Sequence, residues 1–198
     1  MADIIARGND GTRYTLHESG AWELTPSSVS DAGFRGLPWG TSRSDVKSRE
    51  TLPLEEEAAG YLSYEVVLDS RQYFAIYIFI SDQLVRAKYL LSETYVNSQN
   101  DIHAADALRD TVSKKYGAPS SHNEYWSGDL YRDDPSEYGM AVLSGELSRY
   151  TEWSTPETQI LLAMNGENYA AHISVEYISV AHEDLESGAR AADLLDNF

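Results

Sequence analysis

Hydrophobic and polar positions change their period along this chain, and the changes mark its elements. From Leu84 to Leu91 the residues alternate. Val85, Ala87, Tyr89 and Leu91 share one face and Arg86 and Lys88 the other, as in a half-buried strand. Tyr61 to Leu68 predicts a strand before it. Phe74 to Ile80 is apolar on both parities and reads as a central strand covered on both faces. The links, Asp69 to Gln72 and Ser81-Asp82-Gln83, are too short for crossovers, so the three strands form an antiparallel meander. The period then lengthens. Ala105, Leu108, Val112 and Tyr116 keep a helical beat over about 101–116. Asn100 or Asp101 would cap that helix, Lys114 and Lys115 complement its dipole, and Gly117 and Pro119 end it.

Weaker signals fill in the rest. Residues 11–24 hold two β-prone pieces around Glu18-Ser19-Gly20, a hairpin, and Pro26, Ser27, Ser28 and Ser30 make a linker. Ser42 with Asp45 resembles a capping box and predicts a short helix from about Arg43 to Glu50. Leu54 to Ala59, with three glutamates, reads as a loop. Glu124 to Gly145 implies short strands with long loops. Strands return at Leu147 to Trp153, Gln159 to Met164 and Ala170 to Ser179, with Asn165-Gly166 as a hairpin turn. In the last strand Ala171, Ile173, Val175 and Tyr177 form one face, and His172, Ser174 and Glu176 the other. The tail, Glu183 to Phe198, is helix-prone; Leu185, Ala189, Ala192 and Leu195 can line one face, with Phe198 as an anchor, and it could dock or fray.

Residues 34–91 and 101–179 share an order, one helix and then three or four antiparallel strands. The expected fold is therefore α+β: a tandem repeat of a helix packed on an antiparallel β-meander, with an N-terminal β-hairpin and a C-terminal helix. The units are a hairpin and linker over 1–30, repeats over 31–98 and 99–182, and a helical tail over 183–198. Each repeat would leave one sheet face free for a partner.

Phe34-Arg35-Gly36-Leu37-Pro38-Trp39-Gly40-Thr41-Ser42, followed by Asp45-Val46, resembles bacterial proteins of unassigned function carrying F-x-G-x-x-W-G-T-S. Leu84-Val85-Arg86-Ala87-Lys88-Tyr89, Lys115-Tyr116-Gly117-Ala118-Pro119 and Trp153-Ser154-Thr155 are similar to later phrases in those proteins, and Asp10-Gly11 to Trp22 to their N-terminal hairpin. The helix-then-meander order also resembles β-lactamase inhibitor protein and the small outer-membrane assembly lipoproteins. That resemblance implies binding of other proteins by the open face of a sheet.

Charge sharpens the picture. The chain carries 32 acids against 15 bases, a formal net charge of −17. The excess is concentrated late, with 14 acids and 9 bases in residues 1–100 but 18 and 6 in 101–198. Such a surface repels a phosphate backbone and argues against direct nucleic-acid binding. It serves solubility, and it would also steer the chain toward a basic partner. With no cysteine, thiolate metal sites, iron–sulfur clusters, Cys nucleophiles and disulfides are excluded. The N-terminus lacks a basic, then apolar, signal-peptide pattern and no apolar run is long enough for a membrane span, so a cytoplasmic location is expected.

The search for chemistry ends on aromatic and acidic residues. His17, His103, His122, His172 and His182 form no His-x-x-x-His pair; His122 with Glu124, or His182 with Glu183 and Asp184, would hold a metal only weakly. No Gly-x-Ser-x-Gly elbow, Walker loop or dinucleotide fingerprint occurs, so no cofactor, no metal and no catalytic residue is assigned. The candidate partner-binding residues are Tyr125, Trp126, Tyr131, Asp133, Asp134, Tyr138, Tyr150, Glu152 and Trp153. Their rings suit a binding hot spot and their carboxylates suit a basic protein. The competing reading puts some of these rings in the core or in cross-strand pairs. The sequence thus predicts a non-enzymatic inhibitor or immunity-type protein that blocks a basic protein such as a nuclease. Its alternatives are a hydrolase using carboxylates and a histidine, or a subunit of a larger assembly.

Overall fold

A computed structural model describes residues 4–7, 13–16, 22–24 and 33–196, with side chains from residue 33 to 189. In chain order the strands and helices are β1 (Ile4–Arg7), β2 (Arg13–Leu16), β3 (Trp22–Leu24), β4 (Gly33–Phe34), β5 (Leu37–Pro38), α1 (Arg43–Arg49), β6 (Leu54–Ala58), β7 (Tyr61–Leu68), β8 (Arg71–Ile80), β9 (Gln83–Leu91), α2 (Gln99–Tyr116), β10 (Ser121–Trp126), α3 (Tyr138–Leu143), β11 (Leu147–Ser154), β12 (Thr158–Glu167), β13 (Ala170–Ser179) and α4 (Glu183–Asp196). β2 pairs antiparallel with β3, the expected hairpin, and β1 adds a third strand. The turn Glu18-Ser19-Gly20, the linker at Pro26 and Phe198 lie outside the described residues.

The body is one eight-stranded antiparallel sheet in the order β10-β11-β12-β13-β9-β8-β7-β6. β6–β9 follow α1 as an antiparallel meander, and β10–β13 follow α2, with α3 inserted between β10 and β11. The halves join through their last strands, with Val175 opposite Tyr89 and Tyr177 opposite Ala87. Three hairpins turn on two residues that both have positive φ: Asp69-Ser70, Ser81-Asp82 and Asn168-Tyr169. Turns of this hand match the twist of the flanking strands.

Asn165-Gly166 is therefore not the turn. Both residues pair within the ladder, opposite His172 and Ala171. The glycine answers a different need: a Cβ at 166 would stand 1.7 Å from the Val142 carbonyl oxygen at the end of α3. Glycine here permits a close approach of helix to strand. Gly139 does the same where α3 meets the start of α2, its absent Cβ 2.4 Å from the Ser98 carbonyl.

Three further expectations are corrected. Leu54–Ala58 is an edge strand rather than a loop, held by backbone pairing to β7 and solvated on its outer side. The 124–145 stretch has a strand, β10, and then a helix, α3, instead of short strands and loops. Neither Asn100 nor Asp101 caps α2. The helix begins at Gln99, whose amide donates to Asn97 Oδ1 at 3.0 Å. Asp101 is instead buried in the first turn, and desolvation raises its carboxyl above the usual 3.8. The α1 cap is as expected, with the Asp45 amide donating to Ser42 Oγ at 3.1 Å.

One core runs beneath both halves on the helix-covered face. From α2 it takes Ile102, Ala105 and Val112. Its centre at the β9–β13 seam is rich in rings: Phe34 meets Tyr77, Tyr89 and Tyr177 at centroid distances of 5.2, 4.8 and 5.3 Å. One charged node lies at its edge, with the Glu50 side chain covered and Arg35 reaching it from the surface. Glu50 accepts from Arg35 Nε at 2.9 Å and from the Tyr77 hydroxyl at 2.5 Å. Burial alone would push the Glu50 carboxyl up; the bonds from Arg35 and Tyr77 outweigh it and hold the carboxyl below the ordinary 4.5.

Candidate functional site

Register assigns the predicted partner-binding residues on β10 and β11 to faces. On β10 and β11, Tyr125 lies opposite Ser148, Asn123 opposite Tyr150 and Ser121 opposite Glu152. These share the face away from α2. Tyr125 is 59% exposed, and its ring meets Tyr150 edge-on at 5.7 Å, a diagonal cross-strand pair. Glu152 is exposed beside them. So Tyr125, Tyr150 and Glu152 come together on one face.

The remaining predicted residues do not join them. Trp126 lies on the opposite parity, against the core, with Tyr138 edge-on at 5.0 Å and the Arg132 guanidinium 5.9 Å from its ring centre. Tyr131 also packs on the core. Asp133 is exposed, while Asp134 caps the short turn Pro135–Glu137, accepting from the Ser136 hydroxyl at 2.6 Å and its amide at 3.0 Å. Those bonds hold its carboxyl below the usual 3.8. Trp153 is 2% exposed and donates its indole N–H to the Gly117 carbonyl at 3.2 Å. It is a core residue anchoring the end of α2, and its assignment to a binding surface is withdrawn.

The half of the sheet from β6 to β9 holds a feature that sequence reasoning missed. β8 was expected to be covered on both sides. Tyr73, Ala75, Tyr77 and Phe79 do face the core, but Phe74, Ile76 and Ile78 are only half-buried on the other face. With Leu90 and Lys88 of β9, Tyr61 and Ser63 of β7 and Glu55 and Glu56 of β6, they line an open pocket of about 550 Å³. A signal for it was present: Lys88, on the polar side of the β9 alternation, pairs with Ile76, and a lysine there does not suit a second core.

Charge is distributed unevenly around this pocket. Lys88 Nζ lies 4.0 Å from Glu176, and Glu56 accepts from the Tyr61 hydroxyl at 2.6 Å. Among the described residues no base lies within ion-pair distance of Glu55 or Glu56, whereas Glu57, next along β6, pairs with Lys47 and Arg43. Helix α4 packs on the same face of the sheet. Arg86 holds it there through a two-pronged bond to Glu186, at 2.7 and 2.9 Å, and also reaches Glu176 at 2.8 Å. The expected tail helix thus docks.

The histidines occupy quieter positions. His122 Nδ1 lies 2.7 Å from Thr151 Oγ1, beside Arg149, which pairs with Asp106 and Glu124 at 3.0 and 3.2 Å. Burial and the two nearby arginines lower the His122 pKa below 6.5. His182 Nδ1 lies 2.7 Å from the Ser179 hydroxyl, but Ser179 is 1% exposed. Among the described residues no three His, Asp or Glu side chains cluster as metal ligands, and no helix is long and apolar enough to cross a membrane. Compared with known proteins, the chain matches no family model, no curated sequence and no solved structure.

Proposed function

We propose that this chain is a non-enzymatic protein-binding module that takes a basic protein on the open face of its sheet. It would act in the manner of an inhibitor or immunity protein covering the substrate groove of an enzyme such as a nuclease. The observation that carries the reading is the sheet face opposite α2 and α3, where Phe74, Ile76, Ile78 and Leu90 on one side of the docked α4 and Tyr125 and Tyr150 on the other remain outside the core. A face of this kind offers the apolar centre that interfaces need, and rings such as Tyr125 dominate binding energy because little rotamer freedom is lost. The net charge of −17 supplies the complement: acids spread over the surface favour a Lys- and Arg-rich partner and accelerate encounter at low salt. The resemblance of the helix-then-meander order to proteins that bind through an open sheet face supports the same reading.

The test is capture with the whole chain from its native host at low ionic strength, followed by reconstitution with the purified partner. The reading expects a basic protein in defined stoichiometry, with an association rate that falls as salt rises and a complex weakened by Tyr125→Ala. Failure to obtain a stoichiometric basic protein at low salt would refute it.

A further inference from the structure

We infer that the β6–β9 groove is the anchor point for a partner segment that places a bulky apolar side chain next to a lysine or arginine. This rests on the protein-binding reading and specifies what one part of the open face recognises. The floor is hydrocarbon: Phe74, Ile76 and Ile78 in a row on β8 and Leu90 on β9. Its volume of about 550 Å³ holds at least one large side chain with its flanking backbone. The wall is anionic. Glu55 and Glu56 rise from the edge strand without a base to balance them among the described residues, whereas Lys88 on the far side leans toward Glu176. An apolar ligand alone would leave that wall unanswered, and a cation alone would leave the floor wet. A segment carrying both satisfies both.

Strand spacing sets the pattern. β6 and β8 are separated by β7, so the wall stands roughly 9–10 Å from the middle of the floor. An extended segment crossing the strands advances about 3.3 Å per residue, and a lysine or arginine adds its own reach. The basic residue therefore sits roughly one to three positions from the apolar anchor. Burial of the anchor supplies the affinity, and the carboxylates select and accelerate.

The probe is a fluorescein-labelled peptide Lys-Lys-Gly-Phe-Leu-Gly-Lys-Lys, followed by anisotropy with the full chain at low salt. Two control peptides replace the lysines by glutamate or the Phe-Leu pair by Ser-Ser. The lysine peptide is expected to bind at least about tenfold more tightly than either control. Ile76→Asp should weaken it by about tenfold or more, and E55K/E56K by a similar factor, because the repulsion replaces the attraction. Glu55 and Glu56 are exposed on an edge strand, so the second variant keeps the fold even where Ile76→Asp does not. Equal binding of the lysine and glutamate peptides, or undiminished binding by folded E55K/E56K, would overturn the inference. If a captured basic partner binds E55K/E56K as tightly as the parent chain, the groove inference fails while the protein-binding reading stands. If capture finds no basic partner, the broader reading fails, whatever the peptide does.

Discussion

Replacing Glu50 by glutamine tests whether the Arg35–Glu50–Tyr77 node contributes to stability. The substitution preserves shape and removes charge. It turns the bonds from Arg35 and Tyr77 into weaker, neutral-acceptor ones and leaves a guanidinium whose side chain is only 23% exposed without its counter-ion. A hydrogen bond to a charged group is worth about 1.5–3 kcal/mol, and removing one partner of a fully buried pair costs about 3–5 kcal/mol. Because Arg35 retains contact with water, the cost falls below that of a fully buried pair, to about 1.5–3 kcal/mol. Tyr77→Phe removes the tyrosine bond and leaves both from Arg35; it should cost about 1.5–3 kcal/mol, and the two losses should not add, since they share Glu50. Urea unfolding followed by intrinsic fluorescence measures both as shifts of midpoint at constant slope. The pH dependence supplies a second reading. The Glu50 pKa is lowered on folding, so its stabilisation is fully present above the unfolded value of 4.5 and is lost as pH falls through the lower folded value. Asp101 acts in the opposite sense, since its raised pKa makes the protein gain stability as pH falls toward 3.8. E50Q should remove the first trend and leave the second. A cost below about 1 kcal/mol for E50Q, or an unchanged acid limb, would refute the account of the node.

Other substitutions separate core from surface. Trp153→Ala should cost about 3–5 kcal/mol in the same denaturation assay, whereas Tyr125→Ala should stay within about 0.5 kcal/mol of the parent. Tyr169 has φ of 60° at the second position of its turn and is 76% exposed, so Tyr169→Gly should raise stability by about 0.5–1 kcal/mol, measured by thermal or urea unfolding. Gly166→Ala should lower it by about 1–3 kcal/mol, since the new methyl group must push α3 away from β12; the shift would be visible in amide exchange over Tyr138–Leu143.

The elements readable from sequence are those whose side chains themselves obey a period. The Ala105-Leu108-Val112-Tyr116 stripe and the alternation around Ile173, Val175 and Tyr177 each have one face on the core, and burial repeats the pattern. β6 was missed because its glutamates carry no hydrophobic signal; pairing with β7 defines it, and pairing is non-local. The α2 start was misplaced because its cap position is Ser98, whose side chain makes no capping bond, and the first helical amide is met instead by Asn97, outside the periodic stretch. Asn165-Gly166 misled because glycine serves close packing as well as turns, and only the position of α3 distinguishes the two uses. Within the candidate site, Tyr125, Tyr150 and Glu152 were picked out by composition alone. Trp126 and Trp153 have the same composition on the opposite parity, and parity could not be fixed before the register was known. The apolar floor at Phe74, Ile76 and Ile78 looked like core because its residue types are those of core.

The seam between β9 and β13 brings together two stretches that are each continuous in sequence, since α1 and β6–β9 precede α2 and β10–β13. Cutting the backbone in the Ser92–Ser98 connection would sever no sheet ladder and leave every meander intact. The two pieces, expressed separately, would still present complementary strand edges and interlocking rings to each other. Such a chain lends itself to division into halves whose reunion can be made conditional, and the pocket over β8 lies wholly within the first of them.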